Sequence, residues 1–330
     1  MDNFEDRIAV VTGGGTGMGR ELVCQLVAAG AHVAMCDVSA ENMAETAQLA
    51  AKLGKGRVTS HLCDVGVEAQ VLAFRDAVAE QQDTNKINLL FNNAGIGGGG
   101  EFVTGDRDEW ERTFAVCWYG VYYGCRAFMP MLEAADAGYI VNTSSVNGFW
   151  ASLGPGVSHT AYAAAKFAVK GFTEALVTDL RLNAPHIKCA VVMPGHIGTS
   201  IALNTSKVLG RNGALQMDAE EVAEIRDRLQ KRGMPVDNVP DDHIRQMLQQ
   251  QAESFRDEAP TTAAQAADII LQGVRDERWR ILVGDDAHAM DEIVREAPEE
   301  AYEVSFQEKM HERGHLRLIN RPLTNAEGDA

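Results

Sequence analysis

Residues 12–20 read Thr12-Gly13-Gly14-Gly15-Thr16-Gly17-Met18-Gly19-Arg20, directly after an apolar run at 7–12 (RIAVVT). A buried strand that turns through glycines into a helix aims backbone N–H groups and the positive helix end at an anion, which suits a pyrophosphate. Glycine is required where a Cβ would strike the phosphates and where helix packs close on strand. A glycine cluster alone also fits a flexible loop. Its place in the first strand–helix unit makes it a nucleotide turn, with Gly13, Thr16, Gly17, Met18 and Gly19 as candidate contacts. The spacing is T-G-x-x-x-G-x-G rather than G-x-G-x-x-G.

Outward from this turn, short β-rich runs recur at 31–36 (AHVAMC), 58–63 (VTSHLC), 88–91 (NLLF), 139–142 (YIVN), 188–193 (KCAVVM) and 280–283 (RILV). Helical patterns lie between them at 17–29, 40–53, 68–82, 107–132, 161–182 and 261–274. Continuous apolar strands alternating with helices predict an α/β fold, a Rossmann-type doubly wound parallel sheet covered on both faces. Ligands then bind outside the carboxyl ends of the strands. The stretch 200–260 breaks the alternation: it is polar, with helical pieces at 218–231 and 242–255 and no strand pattern. It reads either as a solvated helical insertion without a role or as a lid over the pocket mouth. The chain is expected to be one domain. A cofactor-binding and catalytic core occupies 1–199, an enlarged helical lid 200–260, and the last helix, strand and C-terminal extension 261–317. A mobile tail follows at 318–330.

Of 330 residues, 45% are hydrophobic, enough for a large core, and 30 basic against 47 acidic side chains leave a net charge of −17. Such a field repels phosphate backbones and anionic lipid surfaces, so nucleic-acid and membrane partners are not expected. The N-terminus is acidic where a signal peptide would be basic, and no apolar run could span a bilayer. Six cysteines without a C-x-x-C pair read as reduced thiols. A soluble, cytoplasmic protein is expected. No clustered His, Asp and Glu set suggests a metal.

Asp37 closes the second strand. A carboxylate there accepts both hydroxyls of an adenosine ribose and repels a 2′-phosphate. Val38 and Ser39 bring no cation to offset it, although Arg20 is near in sequence. NAD(H) is therefore favoured over NADP(H), while an N-cap role for Asp37 is the bland alternative. Asp64, after the third strand, accepts from an adenine amino group or caps the next helix. Tyr162 and Lys166 stand four apart in an alanine-rich helix, on one face. An ammonium beside a phenol of ordinary pKa about 10 stabilises the phenolate. Y-x-x-x-K is common by chance, but Ser144-Ser145 at the end of the fifth strand adds a hydroxyl able to hold a carbonyl oxygen.

Together these motifs resemble the short-chain dehydrogenase/reductase family. The matching features are the turn at 12–19, Asp37, Asp64-Val65, Asn92-Asn93-Ala94-Gly95, Ser145, Tyr162/Lys166 and Pro194-Gly195-His196-Ile197-Gly198-Thr199, in the family's order over about residues 5–200. The resemblance implies Tyr162 as acid–base, with Lys166 lowering its pKa and holding the nicotinamide ribose, and Ser145 on the substrate oxygen. It places Val65, Asn93, Ala94 and Gly95 along the adenosine side of the cofactor. Pro194, Gly195, Ile197 and Thr199 fall at the carboxamide side. It further implies that Tyr162 takes the hydroxyl proton while the carbinol hydride passes to the nicotinamide, or the reverse. A homodimer or homotetramer built through the helices at 107–132 and 161–182 follows by analogy.

Two features depart from the family. In Val116-Cys117-Trp118-Tyr119-Gly120, Cys117 stands where the family carries an Asn that holds a proton-relay water. A thiol is a poor substitute, unless backbone and water suffice. The connection 147–160 (NGFWASLGPGVSHT) is long, and Asn147 and Trp150, with His196 from the later loop, become candidate substrate contacts. Aromatics there either pack a bulky substrate or plug the loop onto the core. The expected function is NAD-dependent interconversion of a secondary alcohol and a ketone, on a bulky aryl, alicyclic or steroid-like substrate. The alternatives are an NADP-dependent reductase of an acyl- or sugar-type carbonyl and a non-catalytic NAD(H)-binding sensor or scaffold.

Overall fold

The structure, a computed structural model, describes residues 3–153, 157–231 and 233–315. The proposed tail at 318–330 and residues 154–156 of the long connection lie outside the described residues. In chain order the elements are β1 (Ile8–Thr12), α1 (Gly17–Ala28), β2 (His32–Asp37), α2 (Ala40–Ala50), β3 (Val58–Leu62), α3 (Glu68–Gln81) and β4 (Leu89–Asn92). Then come α4 (Arg107–Phe114), α5 (Gly120–Glu133), β5 (Gly138–Thr143), α6 (Thr160–Asn183), β6 (Ile187–Pro194) and β7 (Ile197–Gly198). The rest are α7 (Ile201–Val208), α8 (Ala219–Lys231), α9 (Asp241–Asp257), β8 (Thr261–Thr262), α10 (Ala263–Arg275), β9 (Arg280–Val283), α11 (Asp285–Glu296) and α12 (Val304–Glu312).

Seven strands form one parallel sheet in the order β3-β2-β1-β4-β5-β6-β9, a Rossmann-type doubly wound arrangement. The order reverses between β1 and β4, which opens a crevice beyond their carboxyl ends. Strands β1, β4 and β5 are apolar on both faces because helices cover both. On one face Leu22, Leu26 and Val27 of α1 pack with Ile270, Leu271 and Val274 of α10. On the other, Phe74, Phe128, Val169 and Leu176 from α3, α5 and α6 close the second core.

The segment 200–260 is helical, as α7 to α9. Its connection to the sheet is the short parallel pair β7–β8, with Ile197 in register with Thr261. The long helix expected at 107–132 is broken by a π-helical segment, Ala115–Tyr119, which carries Cys117 inward between α4 and α5. Neither α11 nor α12 was marked by pattern. They add a third apolar cluster of Trp150, Met290, Ile293, Phe306 and Met310 against the loop after β5. Among the described residues no helix is long and apolar enough to cross a membrane.

Candidate active site

The glycine turn is built by close approach. A Cβ on Gly19 would lie 1.9 Å from the Gly13 carbonyl oxygen, and Gly13 itself has φ +68° with its α-carbon face against Ala94. Gly14 N–H donates to the Cys36 carbonyl at 3.0 Å, fixing the turn on β2. Thr12 Oγ1 accepts from the amides of Asn93 and Ala94 at 3.0 and 3.1 Å, and Asn93 Nδ2 donates to the Thr12 carbonyl. The ends of β1 and β4 are thereby locked across the reversal of strand order.

Beyond these ends lies a cleft of about 270 Å³. Its walls include Gly13, Thr16, Gly17, Met18, Asp37, Asp64, Val65, Asn93, Ala94, Gly95 and Thr199, from the motifs singled out above. The start of α1 faces it without a side-chain cap, and Asn93 Oδ1 is buried without a partner. A helix terminus with open N–H groups, beside a turn that a Cβ would fill, fits the pyrophosphate of a dinucleotide. Gly19, Pro194, Gly195 and Ile197 support rather than line the cleft. The Ile197 side chain is buried in the core, leaving only backbone for a carboxamide. Glu41, Arg112 and Lys207 also line the cleft, and nothing in their spacing had marked them. Arg112 reaches across from α4 to the Asp64 carboxylate at 2.6 Å, and Asp64 also accepts from Gly66 N–H. Asp64 therefore does not cap α3, whose N-cap is Val67 without a side-chain bond; it closes a local turn at Gly66 instead.

Past Gly95 stand the three expected catalytic side chains. A Cβ on Gly95 would lie 3.6 Å from Lys166 Nζ and 3.8 Å from Cys117 Sγ. Ser145, the second residue after β5, neighbours the Tyr162 phenol and favours its ionised form through a side-chain hydrogen bond. Lys166 Nζ donates to the Thr143 carbonyl at 2.8 Å and lies 5.3 Å from the centre of the Tyr162 ring. Burial pushes the Tyr162 phenol well up, the Cys117 thiol adds to the rise, and the Ser145 hydrogen bond opposes it. Burial lowers Lys166, with Cys117 opposing. Lys166 Nζ lies over the face of the Tyr162 ring, and burial dominates the direction of the phenol's shift. Cys117 donates to the Ile96 carbonyl at 3.2 Å from a fully buried position.

The expected substrate contacts are placed differently. Trp150 is buried with its ring 4.9 Å from Phe306, and its indole N–H donates to the Ala301 carbonyl. It plugs the loop onto the core because a partner about half the chain away supplies both an apolar wall and an acceptor. Asn147 spends its amide donors on the Trp150 and Ser152 carbonyls. The His196 ring bonds the Phe255 carbonyl at 2.7 Å and packs on the Phe255 ring, so it ties α9 to the loop after β6. His159 stacks on Tyr162 with ring centres 4.6 Å apart and bonds the Gly97 carbonyl.

Burial lowers the His159 pKa, with the Gly97 bond and Glu109 opposing. The folded protein therefore resists protonating a group that the unfolded chain protonates near pH 6.5. Stability should fall as pH drops below that value, and His159→Phe should flatten the fall. Urea midpoints at about pH 5 and 7 check this, since the slope depends on that protonation difference.

The short chain dehydrogenase family matches residues 7–209. A Mycobacterium tuberculosis protein carrying an oxidoreductase name, SadH, is 35% identical over 295 residues, covering 89% of this chain and 92% of its own. The levodione reductase of Leifsonia aquatica is 32% identical over 213 residues, 62% of this chain and 75% of that one. A short-chain dehydrogenase/reductase from Burkholderia phymatum, solved in complex with NAD, superposes with a TM-score of 0.71 at 30% identity, covering 93% and 97% of the two chains. With the parallel sheet, the glycine turn and the Ser145–Tyr162–Lys166 cluster already in place, the chain belongs to the short-chain dehydrogenase family and is an oxidoreductase of that fold.

Proposed function

We propose that the protein is an NAD(H)-dependent oxidoreductase interconverting a secondary alcohol and a ketone. The observation that carries this is the cluster of Ser145, Tyr162 and Lys166 immediately past Gly95, at the end of a cleft suited to a dinucleotide. When bound, the nicotinamide supplies the hydride acceptor or donor. Ser145 holds the substrate oxygen, and Tyr162 receives or delivers the proton on that oxygen. Lys166, fixed by Thr143, lies where a nicotinamide ribose hydroxyl would be held. Preference for NAD(H) rests on charge. Asp37 accepts from Gly15 and Ser39 N–H groups, which aims it into the cleft, and Glu41 lies beside it. Arg20 is committed to the Gly15 carbonyl, Thr46 and Glu45, so it is not free to meet a 2′-phosphate. Asp37→Ala should weaken discrimination against NADPH by about tenfold, the worth of roughly one charge–phosphate repulsion near the surface. Paired NADH and NADPH fluorescence titrations measure it.

The substrate side is proposed to take a bulky aryl, alicyclic or steroid-like alcohol, with 200–260 acting as a lid. The levodione reductase relative supports a cyclic ketone. Asn204 donates to Thr16 and Thr205 accepts from Gly97 N–H, so α7 reaches both the phosphate turn and the loop near Tyr162. Exposed Tyr119 at the end of the π-helical segment, Tyr122 on α5 and Phe167 on α6 support a homodimer or homotetramer through those helices. Phe167→Glu should shift sedimentation toward the monomer. A cytoplasmic location accords with six free, buried thiols. The test of function is a rate screen with NAD⁺ and NADP⁺ against 1-phenylethanol, cyclohexanol, a steroid alcohol and the short-chain propan-2-ol, read as absorbance of the reduced nicotinamide. Turnover confined to NADP⁺, or to simple short-chain alkanols, would overturn the respective part.

A further inference from the structure

Ser145 Oγ is held by the Asn147 N–H at 3.1 Å. Asn147 in turn donates through Nδ2 to the Trp150 carbonyl at 2.8 Å and the Ser152 carbonyl at 2.7 Å. Trp150 Nε1 donates to the Ala301 carbonyl at 2.6 Å, and Ala151 N–H donates to the Tyr302 hydroxyl at 3.1 Å. One chain of hydrogen bonds therefore runs from the serine hydroxyl to the segment after α11. Around it Trp150 stacks on Phe306, and Met290, Ile293 and Met310 fill the remaining space. The loop 146–152 is anchored on two sides: its short 3₁₀ turn Val146–Gly148 is capped by Ser145 and packs against α6 at the Lys166 carbonyl, Ser152 bridges to Ser158, and the stretch at 149–151 faces the C-terminal cluster. The far end of that turn, through Phe149 and Trp150, thus meets the C-terminal cluster, which closes an apolar pocket around a satisfied indole.

We infer that the segment carrying Ala301, Tyr302 and Phe306 positions Ser145 for the reaction, with Trp150 as the positioning residue between them. This rests on the proposed role of Ser145 in holding the substrate oxygen. The physical reason is geometric: a hydroxyl must sit about 2.7–3.1 Å from the developing oxygen charge, and a displacement of about 1 Å costs on the order of a hundredfold in rate. None of the C-terminal residues lines the dinucleotide cleft, so cofactor affinity should not move.

The test pairs Trp150→Phe, which keeps an aromatic, if smaller, ring and removes the indole donor, with Ser145→Ala in a double-mutant cycle. Trp150→Phe should lower kcat and kcat/KM together by about tenfold on the best alcohol of the screen, because a loosened loop loses part of that positioning. It should cost almost nothing further once Ser145 is Ala, and NADH affinity should stay unchanged in every variant. Hydrogen exchange should rise across 146–151 and stay unchanged in β1 and α1. The same cost in both backgrounds, or unchanged exchange at 146–151, overturns the inference. Phe306→Leu, which leaves every hydrogen-bond partner in place, repeats the test if Trp150→Phe does not fold. If the wild-type protein turns over none of the alcohols, the proposed function fails, and hydrogen exchange alone then decides whether the segment holds the loop.

Discussion

Tyr162→Phe should cut turnover by about 10²–10⁴-fold, the range typical of a lost general acid–base, and leave NADH binding intact. The substitution removes one oxygen whose neighbour is Ser145, while the ring keeps its stack on His159 and its place under Lys166. No packing change competes with the chemical one, so single-turnover rates and NADH titration separate the two effects. The direction of the pH dependence follows from burial, which pushes this phenol up. Alcohol oxidation needs the phenolate, so its rate should climb with pH into the alkaline range, toward and past the ordinary phenol value of about 10. Ketone reduction needs the phenol and should stay level through neutral pH, falling only as Tyr162 loses its proton. An oxidation rate that is level from acid to alkaline pH would mean that Tyr162 is not the base.

The second large effect is expected at Gly19. On helix propensity alone, Gly19→Ala at the start of α1 would gain up to about 1 kcal/mol. The added Cβ would instead lie 1.9 Å from the Gly13 carbonyl oxygen and 2.7 Å from Asn93 Nδ2. Gly13 is itself hemmed in, since a Cβ there would lie 2.9 Å from the Ala94 α-carbon. Overpacking of a rigid site costs about 1–3 kcal/mol, which exceeds the propensity gain and reverses its sign. The turn must open, and the N–H groups that would hold a pyrophosphate lose their common aim. NADH affinity should fall by about a hundredfold, equivalent to roughly 2.7 kcal/mol, and the melting temperature should drop with it. A variant with wild-type affinity would show that the turn does not hold the dinucleotide.

The sheet was legible because its signal is local. Continuous apolar runs ending in Thr12, Asp37 and Asn92 mark buried parallel strands, and the first glycine after β1 marks the reversal crevice. Strand ends read from pattern fall within a residue or so of the observed ones, as at 31–36 against His32–Asp37. The cleft wall from Gly13 to Thr199 was legible for the same reason, since backbone approach demands glycine at fixed places. Arg112, Lys207 and Glu41 were not, because a charged residue on a helix carries no mark of which crevice it faces. Trp150 illustrates the harder limit. Its aromatic ring after the serine suits a substrate wall and a core plug equally, and the choice was made by Phe306 and Ala301, whose contact no local pattern encodes. The π-helical turn at Cys117 was hidden likewise, because a single wide turn inside a long helical stretch carries no local residue mark.

The central claim is that Ser145, Tyr162 and Lys166 carry out hydride chemistry on a secondary alcohol at the end of this cleft. Incubation of the wild-type protein with NAD⁺ and 1-phenylethanol, cyclohexanol or a steroid alcohol, each deuterated at the carbinol carbon, tests it most directly, with the mass of the recovered reduced nicotinamide as the readout. Transfer of a single deuterium from at least one of the alcohols, lost in Tyr162→Phe, is the expected result. Unlabelled or absent reduced nicotinamide across all three alcohols, with NADH binding intact, would contradict it.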